Sequence, residues 1–179
     1  MKKLMLGFVL VVGLVLGMSG CATTPHEIYH IGDTVTVGSF RVELRSVDFA
    51  STYYVNWVNQ TKYGNFFITD VIFTNLTGNP LPMHFQPVSG LIDSNGSKYA
   101  PSQQDTMMIN MNKPGRVNPG GAWNPNIAIE QENVFVVPQD KKYYLRIIAP
   151  SSAHVGFAGG IDVSGPYALF DLSPSPKYK

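Results

Sequence analysis

The chain has 179 residues, 13 basic against 12 acidic side chains, and one cysteine. That length suits a single domain with an adequate core, and the near-neutral balance lacks the clustered basic face of a nucleic-acid binder. A lone cysteine excludes an internal disulfide framework.

Lys2 and Lys3 precede an unbroken apolar run, Leu4 to Met18, and then Ser19-Gly20-Cys21. Charged start, apolar middle and small-residue cleavage site form the layout of a secretory signal. The run of 15 residues falls short of the roughly 20 that a spanning helix needs. Gly7, Gly13 and Gly17 weaken it further as a helix. Met18-Ser19-Gly20-Cys21 resembles the lipobox of bacterial lipoproteins, with Met18 standing where that family usually has Leu, Val or Ile. The resemblance implies cleavage before Cys21 and a diacylglyceryl group on its thiol. Residues 1–20 are then the signal peptide and 21–30 a lipidated tether. Cleavage leaves eleven basic and twelve acidic residues, a formal charge of −1.

Residues 22–30 read as a polar connector, with Pro25 against helix and two solvated histidines, His26 and His30. From Ile31 the pattern changes to period-two alternation. Val35 and Val37 alternate with threonines, Gly38-Ser39 turns the chain, and Phe40, Val42, Leu44 and Val47 continue the apolar positions. Residues 50–64 break the alternation with Tyr53, Tyr54, Trp57 and Tyr63. These four aromatics form the candidate binding loop, a platform for sugar rings or a protein groove. Two other readings stay open: the segment folds back as a cap, or it extends the flanking strands into a hairpin.

Asn65 to Asn75 is the most strand-like run, with Phe67, Thr69, Val71 and Phe73 on one face and Phe66, Ile68, Asp70 and Ile72 on the other. Apolar residues on both faces predict a central strand. Met83 to Asp93 is a strand region broken by Pro87 and Gly90, closed by a turn in which Asn95-Gly96 supplies positive φ angles. Residues 102–118, polar and Met-rich, read as a surface excursion. Three strands follow, Ala122 to Ile129, Asn133 to Val137 and Tyr143 to Ile148, the first two separated by Glu130-Gln131-Glu132 as a solvated turn. A last strand covers Tyr167 to Leu172, and residues 173–179 form a proline-rich tail expected to be disordered. Seven to nine short antiparallel strands at these intervals predict an all-β sandwich over residues 31–172, with a closed barrel as the alternative. No disulfide and no inward tryptophan read from the pattern decides between them.

The order of Ile31-Gly32-Asp33-Thr34-Val35, Gly38-x-Phe40-x-Val42, Gly64-x-Phe66, Asp70-Val71, Asn75, Leu91-Ile92-Asp93, Asn95-Gly96, Tyr99 and Asn118-Pro119-Gly120 resembles the bacterial family called domain of unknown function 4352. That resemblance implies an immunoglobulin-like β-sandwich on a lipoprotein, similar in fold to a secreted mycobacterial immunoprotective antigen, with no catalytic residues to carry over.

No nucleophile with a base, paired carboxylates or metal-ligand spacing stands out in the sequence. His84 and His154 stand alone, and no cofactor or metal is expected. The expectation is a non-catalytic recognition module of the bacterial envelope, held to the cell membrane or outer membrane by lipid on Cys21. Its partner would be an envelope protein or polysaccharide. The alternative is a structural or accessory subunit that pairs through edge strands.

Overall fold

The computed structural model describes residues 27–55, 60–82, 85–111, 113, 122–138, 141–149 and 165–173. The strands are β1 (Ile28–His30), β2 (Thr34–Val37), β3 (Phe40–Val55), β4 (Gln60–Asn75), β5 (Leu81–Pro82), β6 (Val88–Asp93), β7 (Lys98–Tyr99), β8 (Ala122–Trp123), β9 (Ala128–Val136), β10 (Tyr143–Ile148) and β11 (Tyr167–Asp171), with one helix, α1 (Gln103–Met111). One sheet has the order β1-β11-β10-β6-β7, a second β2-β3-β4-β9, and β5-β8 forms a small third ladder. The chain is a β-sandwich. Its strand pairs are antiparallel except β1 on β11, which is parallel.

β4 lies between β3 and β9, the central position its two apolar faces predicted. Phe67, Thr69, Val71 and Phe73 point into the space between the sheets and are at most 2% exposed. Phe40, Val42, Leu44 and Phe135 join them from the same sheet, against Leu91, Leu145, Ile147 and Phe170 from the facing one. The sequence skips a beat between Leu44 and Val47, and the ladder has a register irregularity between Leu44 and Ser46. A bulge there keeps both residues on the core side.

Trp123 corrects the expectation of no inward tryptophan. It is 2% exposed and stands edge-on to Phe40 and Phe73, at 5.7 and 6.1 Å between ring centroids. Asn75 fixes it there, donating from Nδ2 to the Trp123 carbonyl at 2.7 Å and to that of Asn79 at 2.9 Å. Gly38 lies at the same end with φ +57°, and a Cβ there would meet that of Ala149 at 2.9 Å. This Trp123 end is one pole of the sandwich. At the other pole Phe67 stands 5.7 Å from Tyr143.

Three further segments differ from their sequence reading. Glu130 to Glu132 is the middle of β9, not a turn; all three of its polar side chains pair with other segments, Glu130 with Arg45, Gln131 with Gln86 and Glu132 with Lys113, which makes strand interior tolerable. Of the Asn95-Gly96 turn, only Gly96 has positive φ, +81°. The Gly96 amide donates to the Asp93 carbonyl at 2.9 Å and the Asp93 amide to that of Ser97 at 3.0 Å, a longer hairpin turn with glycine in the left-handed position. Ile28–His30 is a strand, although it falls within the residues read as tether.

The Met-rich excursion contains α1. Ser102 caps the helix: its hydroxyl accepts from the Asp105 amide at 3.3 Å and donates to the Asp105 carboxylate at 2.6 Å. The helix lies along β9, the edge strand of the four-stranded sheet. Asn110 donates to the Glu132 carbonyl at 2.7 Å and accepts from the Glu132 amide at 2.9 Å. The Ser102 amide donates to the Val134 carbonyl at 2.7 Å, and the Val134 amide to the Thr106 hydroxyl at 3.0 Å. Side chains and a helix start thus satisfy the strand edge that another strand would otherwise pair with.

Candidate functional site

β3 and β4 continue together beyond the Tyr143 pole. Pairs Thr52↔Tyr63, Tyr53↔Lys62 and Tyr54↔Thr61 make the aromatic segment the outer part of a long hairpin, one of the readings left open. Trp57 lies outside the described residues, as does Cys21.

The hairpin sorts its tyrosines. Tyr53 is 8% exposed and packs edge-on against Phe66 at 4.9 Å, with Ile109 of α1 and Val134 of β9 in the same cluster. Its hydroxyl donates to the Asp105 carboxylate. Burial first, and that bond second, push the Tyr53 hydroxyl well above the usual phenol range. Ala50 packs in the same cluster. Two residues three apart cannot share a face of a regular strand, and the register irregularity between Ala50 and Thr52 allows it. Tyr53 is therefore a strut joining hairpin to helix.

The opposite face of the hairpin is open. Tyr54 is 48% and Tyr63 79% exposed, and the register puts them on one face with Thr52 and Thr61 between them. Phe49, 47% exposed and edge-on to Phe67 at 4.4 Å, belongs to that face, since its neighbour Ala50 is on the Tyr53 side. At its foot a cleft of about 320 Å³ opens between the sheets, lined by Phe49, Phe67, Tyr143, Leu172, Lys141 and Lys142.

Both lysines are held. Lys141 donates to the Asp93 carboxylate at 2.8 Å and to the Tyr99 hydroxyl at 3.1 Å. Asp93 is 2% exposed, and its other oxygen accepts from the amides of Asn95 and Ser97, each at 2.9 Å. The Lys141 bond, aided by these amides, holds its carboxyl below the usual range, and the same bond raises Lys141. Lys142 donates to Asp171 at 2.9 Å and is raised by it. The cleft is thus an aromatic hollow with a charge-balanced rim.

Glu130 and Glu132 do not come together as a carboxylate pair: Glu130 pairs with Arg45 at 3.2 Å and Glu132 with Lys113. His30 lies on β1, while His26, His84 and His154 fall outside the described residues. Among the described residues no three His, Cys, Asp or Glu side chains are grouped as metal ligands. No helix among them is long and apolar enough to cross a membrane. Sequence reasoning missed the strut role of Tyr53 and the support from α1. The signal that could have found the helix was Ser102-Gln103-Gln104-Asp105.

No protein-family model matches this chain, and no curated protein does. Solved structures do. The chain is similar to a conserved hypothetical protein from Bacillus anthracis, with TM-score 0.59 and 16% identity over 70% of this chain and 94% of the other. It is also similar to the yjhA protein from Bacillus subtilis, with TM-score 0.53 and 17% identity over 80% of this chain and 99% of the other. A Bacillus subtilis protein provisionally described as a lipoprotein, ycdA, aligns at TM-score 0.47 and 15% identity over 80% of this chain and 39% of its own. At these identities the first two likenesses speak for the fold alone.

Proposed function

We propose that the chain is a non-catalytic recognition module of the bacterial envelope, lipid-anchored through Cys21, whose ligand surface is the Tyr54–Tyr63 face of the β3–β4 hairpin. In this reading the domain is an immunoglobulin-like sandwich of the kind named domain of unknown function 4352, as its motif order suggests. The observation that carries the proposal is the sorting of the tyrosines. Tyr53 braces the hairpin while Tyr54 and Tyr63 lie exposed on one face, beside Thr52 and Thr61. Exposed rings on a braced ladder lose little side-chain freedom on binding. Rings with hydroxyls beside them suit the faces and edges of sugars, so an envelope glycan is the ligand class we favour.

The alternative, assembly through edge strands, has less support. Among the described residues β9 is covered by α1 at residues 132–134, and β1, β2 and β7 are two to four residues long. The outer side of β3 beyond the Phe40–Glu43 stretch that pairs β2 is a longer edge, but it is broken by the register irregularities near Leu44 and Ala50. Short, covered or irregular edges offer little for strand addition. The test is capture on immobilised envelope glycans by the purified chain and by a Tyr54→Ala/Tyr63→Ala variant. Both residues are exposed, so the variant keeps its fold. Retention of the parent and loss of the variant supports the reading. Equal retention removes the hairpin as the site.

A further inference from the structure

The register of β1 gives the direction in which the chain runs where it joins the sheet. β1 runs parallel to β11, Ile28 beside Leu169 and His30 beside Asp171. β11 itself starts near the Trp123 pole, where the Ala149 amide donates to the Pro166 carbonyl at 3.0 Å and Gly38 closes on Ala149 and Pro166. It ends at the hairpin pole, where Leu172 and Ser173 line the cleft with Phe49. The chain therefore joins the sheet heading from the Trp123 pole toward the hairpin.

Chain length turns this direction into a constraint. Ile28 stands level with Arg146, three residues short of Tyr143 along β10. Tyr54 lies five residues beyond Phe49 along β3. At the rise of a β-strand, Tyr54 is about 27 Å beyond the point where the chain joins the sheet. Cys21 lies seven residue steps before Ile28, which span about 23–25 Å at full extension. Even folded straight back along the domain, that length falls short of the tyrosines.

We infer that the lipid anchor and the aromatic hairpin occupy opposite poles, so that the anchored chain presents Tyr54 and Tyr63 outward, off the bilayer, to an envelope glycan rather than to lipid. The inference rests on the reading of Cys21 as the lipid site and deepens that of the hairpin as the binding face. Lipid on Cys21 holds the Trp123 pole toward the headgroups. The long hairpin then adds reach, which explains why β3 and β4 continue past the end of the facing sheet and why α1 and Tyr53 brace them there.

The test uses the full lipidated chain, bound to phosphatidylglycerol–phosphatidylethanolamine vesicles with an energy acceptor on the headgroups. A donor dye is placed on Ser39→Cys, an exposed turn at the Trp123 pole, or on Tyr63→Cys at the hairpin. With Cys21 acylated, each variant carries one free thiol. Flotation with the vesicles, and transfer from position 63 at least about twofold weaker than from position 39, is the expected result, given a separation longer than the tether. Flotation with equal or stronger transfer from position 63 overturns the polarity and leaves the anchor standing. Failure to float, with the introduced thiol and Cys21 both free to label in each variant, removes the anchor and the inference with it.

Discussion

Asn110 offers the sharpest test of how the hairpin's support is built. Its amide replaces a neighbouring strand at Glu132, giving one bond to the N–H and one to the C=O of β9, and a third to the Thr106 carbonyl at 2.6 Å. Asn110→Ala deletes all three and leaves two β9 backbone groups beside a residue only 7% exposed. Each hydrogen bond contributes about 0.5–1.5 kcal/mol net, and a buried group left unsatisfied costs about 1–3 kcal/mol. Alanine returns roughly 0.5 kcal/mol of helix propensity. The balance is a loss of about 2 kcal/mol, which for a chain of this size lowers the thermal midpoint by roughly 4–8 °C. Urea unfolding gives the energy, and hydrogen exchange at the Glu132 amide shows whether the edge has opened. A control, Met107→Ala, alters a side chain 54% exposed and should stay within about 0.5 kcal/mol of the parent. A loss below about 0.5 kcal/mol for Asn110→Ala, with Glu132 still protected, would refute the clasp.

Three other outcomes follow from the same packing. Trp123→Ala empties the pole between Phe40 and Phe73 and should cost about 3–5 kcal/mol in urea unfolding. Gly96→Ala meets open space but keeps φ +81°, whereas Gly38→Ala adds a clash with Ala149 to φ +57°. The first should cost about 1–2 kcal/mol and the second clearly more, measured by the same titration. Asp93 has a lowered carboxyl and Lys141 a raised ammonium, so their contribution is full between roughly pH 4 and pH 10. It is lost on the acid side as pH falls toward the lowered carboxyl, and on the alkaline side as pH rises through the raised ammonium. Asp93→Asn should therefore lower the denaturation midpoint at pH 7 and flatten its acid limb, read as urea midpoint against pH.

What the sequence decided by itself is what depends on near neighbours along the chain. Alternation put Phe67, Thr69, Val71 and Phe73 on one face of a central strand, because side chains on a strand repeat every two residues. Glycine marked the turns at positions 38 and 96, because without a Cβ its φ becomes positive at little cost. What the tertiary structure decided depends on partners far away in sequence. Glu130–Glu132 reads as a turn until Arg45 and Lys113 neutralise two of its charges inside a strand. Trp123 gives no sign of facing inward until Phe40 and Phe73 close around it. The aromatic segment reads as one undivided cluster. Only a register irregularity near Ala50, with Asp105 waiting on a helix 52 residues ahead, turns Tyr53 into a strut and leaves Tyr54 and Tyr63 in solvent. Local patterns fix strands and turns because their physics is local, whereas which tyrosine is buried is settled by what the fold brings against it.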